Sequence, residues 1–267
     1  MDTATFLQRH QVFRLDEAVE ALDPAGGRRA VSERLDYARQ RGKVRKVARG
    51  VYASVPADMD PERFQPDPFL VAAAIRPDAV FSHHAALELL GAAHSQWRHY
   101  TAYSESHPRH FSLMDGEVQF IAWPRALVDR GMLTAARRTV FRLDRSLQVT
   151  GPEATLIDGF RQPGRVGGLA ELIESAAGFS MLDLALLFRL LEAHGQKHLW
   201  AALGWFLETY QTTFFVREPD LSYIRDHVPA SPRYLIRNQG RGILFRQWNL
   251  IVPEELIEGR EPDEPEP

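Results

Sequence analysis

Apolar positions recur every three to four residues over two short stretches near the start of the chain, and a third stretch intersperses valines with basic residues. In the segment that begins at Arg28, Val31, Leu35 and Ala38 fall at i, i+4 and i+7, so they share one side of a helix that ends before Gly42. The same 100° step places Arg29, Glu33, Tyr37 and Gln40 on the opposite side, with Arg34 flanking them. Upstream, Ala18, Val19 and Leu22 give EAVEAL an apolar side, Asp16 stands where an N-cap would, and residues 5–10 predict a further short helix. Val12 and Phe13 read as a brief extended piece, and the run Pro24, Ala25, Gly26, Gly27 breaks the chain between the two longer helices. Phe6 and Phe13 are assigned to the core of this small unit. Downstream, Val44 and Val47 frame basic residues until Arg49 and Gly50 turn the chain into Val51 and Tyr52, a two-stranded ribbon. Three short helices and a ribbon within 57 residues have the size and order of a winged helix-turn-helix.

Charge sharpens that reading. Residues 28–49 carry nine Lys or Arg against Glu33 and Asp36, a formal charge of +7 in a chain whose net charge is −3. Concentrated positive charge is what phosphate binding requires, because phosphate contacts supply most non-specific affinity for DNA and base contacts add the specificity. The expected DNA-binding set is Arg28, Arg29, Ser32, Arg34 and Tyr37 on or at the start of the reading helix, with Lys43, Arg45, Lys46 and Arg49 on the wing. Arg29 and Tyr37 are the best placed for base edges. The alternative is a solvated basic face with no partner, since charge runs on helices are commonly that.

Prolines 56, 61, 66 and 68 amid charged residues predict a linker over 58–68, and the pattern beyond it changes. Helices are expected at PFLVAAAIR and, capped by Ser82, at HHAALELLGAA. Short strands follow near 99–103, 109–114, 118–123 and 139–143, with Asp115 and Gly116 as a hairpin turn. Helical spacing returns over 152–161, 168–177, 182–194 and 197–210, and late strands are expected at 233–236 and 243–247. Leu199, Leu203, Phe206 and Tyr210 recur as a core stripe rather than a partner surface. The predicted fold is α+β: a winged helix over 1–57, a linker over 58–68, and a larger mixed α/β domain over 69–252. An acidic tail completes the chain over 253–267, with seven carboxylates against Arg260, and composition predicts disorder there.

Composition removes several classes. With no cysteine among 267 residues there are no disulfides and no thiolate metal sites, and with no signal-like N-terminus and no 18-residue apolar run a cytoplasmic protein without membrane attachment is expected. Six of the ten histidines fall at 83, 84, 94, 99, 107 and 110, but their spacing does not supply the i, i+4 pair of a zinc helix. Asp115, Glu117 and Gln119 make a poor metal-dependent nuclease motif, and Glu153 with Asp158 reads as a first-turn charge and a surface carboxylate rather than an acid–base pair. No GxSxG, P-loop or dinucleotide fingerprint is present, so neither an enzyme nor a cofactor or metal is expected.

Three blocks also carry a family resemblance: KVARGVYASVP, DPFLVAAAIRPDAVFSHHAALELLGA and TGPEATLIDGFRQPGRVGGLAELIESA, which together span most of 41–177. In this order and separation they resemble AbiEi-type antitoxins of bacterial type IV toxin–antitoxin (abortive infection) systems. One departure is that Pro152-Glu153 is followed here by Ala154, where members of the family often carry Arg. The resemblance implies an antitoxin that represses its own operon through the N-terminal module, while the C-terminal domain counters a nucleotidyltransferase-like toxin encoded beside it, with or without a stable complex. An operator of inverted repeats would favour a homodimer on DNA. Two competing expectations are a winged-helix-targeted, metal-dependent nuclease and a plain transcriptional repressor with no toxin partner.

Overall fold

The computed structural model describes residues 1–22, 25–106, 108–113, 115–236 and 241–257. It is mixed α+β and divides into two compact units, each assembled from separate stretches of chain. The first comprises Met1–Val80, Arg98–Ala122 and Thr139–Gln148, and the second Phe81–Trp97, Trp123–Arg138 and Val149–Pro267.

The first unit opens with helix α1 (Thr3–Arg9), capped by the Asp2 carboxylate, which accepts from the Thr5 N–H at 2.9 Å. Strand β1 (Val12–Arg14) follows, then α2 (Leu15–Leu22), α3 (Gly27–Gln40), β2 (Val44–Ala48) and β3 (Val51–Ser54). The three strands form an antiparallel sheet in the order β1-β3-β2. Helix α2 starts at Leu15, two residues before the start the sequence suggests, so Asp16 lies in its first turn rather than at its N-cap. There Glu17 accepts the Arg14 N–H at 2.7 Å. Helix α3 ends as its glycine predicts: Gly42 has φ +69°, its N–H reaches the Arg39 carbonyl at 3.0 Å, and the Lys43 N–H reaches Ala38 at 2.9 Å. This is the Schellman pairing, which satisfies two carbonyls at the helix end.

Phe6, Phe13, Leu15, Ala18, Leu22, Val31, Leu35, Ala38, Val44 and Tyr52 form one buried cluster. Phe6 and Phe13 meet edge to face at 4.9 Å, a favoured aromatic geometry.

Helix α4 (Pro68–Ile75) corrects the expected boundary. Asp67 caps it through the Phe69 and Leu70 N–H groups, both at 3.0 Å, and Pro68 takes N1. Phe69, Leu70, Val71, Ala72 and Ala74 are all buried, and the helix packs on β1 and β3. A helix apolar on nearly every side must be buried, and its contacts with β1 and β3 place it in the first unit. It closes the core of the unit that precedes it.

The first unit also carries most of a six-stranded sheet. Its strands are β4 (Val80–Ser82), β5 (His99–Tyr103), β6 (Arg109–Leu113), β7 (Gly116–Ile121), β8 (Arg137–Arg142) and β9 (Arg145–Thr150), in the order β6-β7-β5-β4-β9-β8. Strands β5 and β7 run parallel, and β6 and β7 antiparallel. Gly116 opens β7 opposite Leu113, so it belongs to the strand rather than to the expected Asp115-Gly116 turn; Met114 lies outside the described residues, as does His107. The turn between β8 and β9 reaches back to the first helices. Arg145 makes two bonds to Glu17, at 3.0 and 2.8 Å, and Arg142 binds Asp67 at 2.8 Å. Burial alone would raise the Glu17 carboxyl, but Arg145 and the Arg14 N–H outweigh it and hold the group below its ordinary value.

The second unit is largely helical: α5 (His84–Leu89), α6 (Arg125–Asp129), α7 (Pro152–Arg161), α8 (Leu169–Ala177), α9 (Leu184–His194), α10 (Lys197–Thr209) and α11 (Glu218–Arg225). A small sheet of β10 (Arg233–Tyr234), β11 (Gly242–Phe245) and β12 (Leu250–Pro253) has the order β10-β12-β11. Helix α7 is central, packing against α5, α8, α9 and α10. Helix α5 is not capped by Ser82, which ends β4; His83 occupies the N-cap with φ +56°. Of the expected core stripe on α10, Leu199, Leu203 and Phe206 are buried, whereas Tyr210 is the half-buried C-cap and the helix is buried on every side over 199–207. Of the predicted tail, 253–257 is ordered by β12 and a short 3-10 turn, because Val252 and Leu256 are buried. Residues 258–267 lie outside the described residues. Among the described residues no helix is long and apolar enough to cross a membrane.

Trp248 is fully buried over α10, where a Cβ on Gly204 would come within 2.4 Å of its ring. Its indole N–H donates to Glu208 at 2.8 Å, fixing the ring where it lies. Gly204→Ala should therefore destabilise the protein by about 1–3 kcal/mol through overpacking, beyond the ~1 kcal/mol that alanine gains in a helix. Urea unfolding of the variant would show it as a lower midpoint; an unchanged or higher midpoint would contradict this packing.

Candidate nucleic-acid interface

Which face of α3 meets solvent is decided by its buried stripe. Val31, Leu35 and Ala38 point into the core, so Arg29, Glu33, Arg34, Tyr37 and Gln40 are exposed, with Tyr37 at 57%. Arg29 pairs with Glu33 one turn on at 3.0 Å. An exposed i, i+4 pair contributes about 0.5 kcal/mol or less, so it can be exchanged for a stronger contact. Arg34 has no ion pair among the described residues. Arg41, just past the helix, lies 4.9 Å above the Tyr37 ring, a cation–π contact that orients the phenol. Arg41 belongs to this surface, although the spacing argument had not singled it out. Its place at the end of α3, one turn beyond Tyr37, was the available signal.

On the helix, one member of the expected set is otherwise engaged and another is less accessible. Arg28 pairs with Asp16 of α2, and this bond, followed by that of Arg14, holds the Asp16 carboxyl below its ordinary value. Ser32 is half-buried. Arg28 therefore joins α2 to α3.

On the ribbon, Arg49 and Gly50 form a two-residue turn between Ala48 and Val51, with Gly50 at φ +73°. Lys43, Lys46 and Arg49 are exposed and have no ion pair among the described residues. Arg45 is half-buried and donates to the Phe64 carbonyl at 2.7 Å, so part of its guanidinium is committed to the segment that follows the ribbon. The pairing register slips between Lys46 and Ala48, leaving Val47 as a bulge. The structure thus brings together Arg29, Arg34, Tyr37 and Arg41 on one element and Lys43, Lys46 and Arg49 on the next. Helix α3 packs directly against β2.

The other motifs are accounted for by salt bridges and burial. Asp115 pairs with Arg98, Glu117 lies 3.0 Å from His99, and Gln119 lies 3.1 Å from His110. Among the described residues no group of three His, Cys, Asp or Glu side chains is placed to hold a metal ion. Asp158 is a correction to the sequence reading: it is buried rather than a surface carboxylate, and Arg161 binds it at 3.1 Å. Glu153 is likewise buried, and accepts the Asp183 N–H at 2.8 Å. The second unit holds a further polar group in its interior, His83, whose ring nitrogens lie 2.9 Å from Ser82 and 3.1 Å from Gln162. Burial, only partly offset by the charge of Asp158, lowers His83 to about 4.

No protein-family model matches this chain, and no curated protein matches it. Among solved structures it is similar to the RV2827C protein from Mycobacterium tuberculosis. The TM-score is 0.61 at 17% identity, over 95% of this chain and 91% of that one. At that identity the likeness is one of fold. It covers residues of both units.

Two outcomes check this description. Tyr37→Ala, on the exposed face, should change stability by about 0.5 kcal/mol or less, whereas Leu35→Ala, two residues away, should cost about 2–5 kcal/mol. Equal effects in denaturant would mean that α3 is rotated from the orientation described. For His83, the folded value lies below the unfolded one. The neutral ring is therefore favoured by folding, and its contribution is intact above pH 6.5 and lost as pH falls towards 4. The loss should be on the order of 3 kcal/mol by urea unfolding and smaller in His83→Gln. Stability that stays flat across that window would contradict a neutral, buried His83.

Proposed function

We propose that residues 1–57 are a winged helix-turn-helix that binds double-stranded DNA, with α3 as the reading helix and the β2–β3 ribbon as the wing. The observation that carries this reading is the pairing of an exposed basic helix face with an adjacent ribbon whose Lys43, Lys46 and Arg49 lack partners among the described residues. Unpaired exposed cations release counterions when they meet phosphates, which drives association and makes it salt-dependent. Arg29 and Tyr37 would read base edges, Arg34 and Arg41 would flank them, and the wing would rest on the neighbouring backbone. Arg28 and Arg45 have supporting roles in this account: one braces α2 against α3, the other anchors the wing to the chain that follows.

On this basis the chain is a sequence-specific repressor of its own operon. Its resemblance to AbiEi-type antitoxins supports the fuller reading of an antitoxin that counters a nucleotidyltransferase-like toxin. The first unit supplies the DNA contacts, and the second would serve antitoxicity. Nothing in the arrangement favours a nuclease, since the carboxylates of Asp115 and Glu117 face cationic or imidazole partners. A cytoplasmic location agrees with this role.

Arg49→Ala should weaken binding equally on operator and random duplexes and lower the salt slope by about one unit. Arg29→Ala should relax sequence preference, at a cost of about 1–3 kcal/mol at one base position. An unchanged slope would remove the wing contact, and equal losses on specific and random DNA would remove the base contact. For the antitoxin role, co-expression with the product of the adjacent reading frame should relieve growth arrest, and persistent arrest would reject it.

A further inference from the structure

The wing forms one wall of a cavity that shares Lys46 with the proposed DNA contacts. Within the first unit a recess of about 340 Å³ opens between β2, the start of α4 and strands β5 and β6. Its size falls within the range of small-molecule sites, roughly 300–1,000 Å³, and is about twice the ~150 Å³ cavity that holds one benzene. Space for two fused rings is therefore present.

Its walls are mixed, with Gln65 and Ser112 beside an apolar lining. Val71 of α4, Tyr100 of β5, and Phe111 and Leu113 of β6 line it, and Val47 completes the lining from the ribbon. Val47 is the residue left unpaired by the register slip in β2. A bulge of this kind commonly re-aims a side chain next to a binding site. Phe111, Leu113 and Val47 remain only half-buried, so apolar area is left for a ligand to cover.

The polar groups at the recess define the charge of that ligand. Arg45 and Lys46 both line it, and Arg45 is held in place by its bond to the Phe64 carbonyl. Asp115 is the one carboxylate of the lining, and Arg98 neutralises it. A cationic ligand would meet two cations, whereas an apolar monoanion would meet an oriented guanidinium and an ammonium without an ion-pair partner among the described residues. We infer that this recess binds a small aromatic carboxylate, rings between Phe111, Leu113 and Val71 and carboxylate against Lys46 and Arg45, as an effector site. The effector role rests on the DNA-binding reading above, because Lys46 also belongs to the wing. A carboxylate on Lys46 withdraws a phosphate contact, so the ligand-bound protein releases DNA.

The test uses 2-naphthoate as the probe and the full chain without DNA, followed by calorimetry. Single-site, saturable binding is expected, with the neutral analogue 2-naphthalenemethanol at least about tenfold weaker. Lys46→Gln should remove the advantage of the acid over the alcohol, and Leu113→Trp, which fills the recess, should abolish both. Absence of saturable naphthoate binding at millimolar concentration would overturn the site. So would equal affinity in wild type and both variants. With the site established, saturating naphthoate should weaken binding to a random duplex and lower its salt slope. Unchanged DNA affinity with the ligand bound would overturn the effector role. A chain that binds naphthoate but no DNA at low salt would overturn the DNA reading and leave the recess a ligand site.

Discussion

The burial of Val31, Leu35 and Ala38 against Phe6, Phe13, Ala18 and Tyr52 is the constraint on which everything at the amino-terminal end depends. These side chains set the rotation of α3 about its axis. Because a helix has 3.6 residues per turn, fixing one stripe fixes the opposite one, and the opposite one carries Arg29, Arg34 and Tyr37. The Schellman ending at Gly42 then delivers the chain directly into β2, so helix face and ribbon are positioned by the same short stretch of backbone. A basic segment without that core would carry the same charge with no defined surface.

The same region shows how charge is divided between structure and interface. Arg28 is tied to Asp16, Arg145 to Glu17, Arg142 to Asp67, and Arg45 to a backbone carbonyl. These bonds join α2, α3, α4, the ribbon and the β8–β9 turn into one unit. Arg34, Arg41, Lys43, Lys46 and Arg49, exposed and without ion pairs among the described residues, cluster on α3, its C-terminal end and the ribbon that follows, whereas Arg9 on α1 and Arg109 on β6 are exposed and unpaired elsewhere in the unit. Net charge conceals this, since the chain as a whole is slightly acidic.

The local elements of that unit were legible in the sequence because they follow local rules. The stripe on α3, the C′ glycine, the Arg49-Gly50 turn and the Pro68 helix each have a signal within a few residues. What was not legible depends on partners far away in sequence. Strands β4, β9 and β12 and helices α6 and α11 were missed: Val80, Phe81 and Ser82 are all buried and show no alternation, and β9 and β12 gain their identity from neighbouring strands. The linker expected over 58–68 gives way to a unit completed by 98–122 and 139–148, because the pairing of parallel strands such as β5 and β7 has no local signature. Asp158 read as a surface carboxylate since nothing nearby in sequence revealed how fully α7 is surrounded. Of the candidate interface, the positions of Arg29 and Tyr37 were predictable from phase, whereas the engagement of Arg28 and Arg45 required the fold.

The account predicts where the molecule touches DNA as well as that it does so. Amide hydrogen exchange of the full chain, with and without a saturating duplex at low ionic strength, tests this most directly. Added protection should concentrate on α3 and the β2–β3 ribbon, Gly27–Gln40 and 43–54, and fade as salt is raised. Protection absent from those segments, or confined to the second unit, would contradict it.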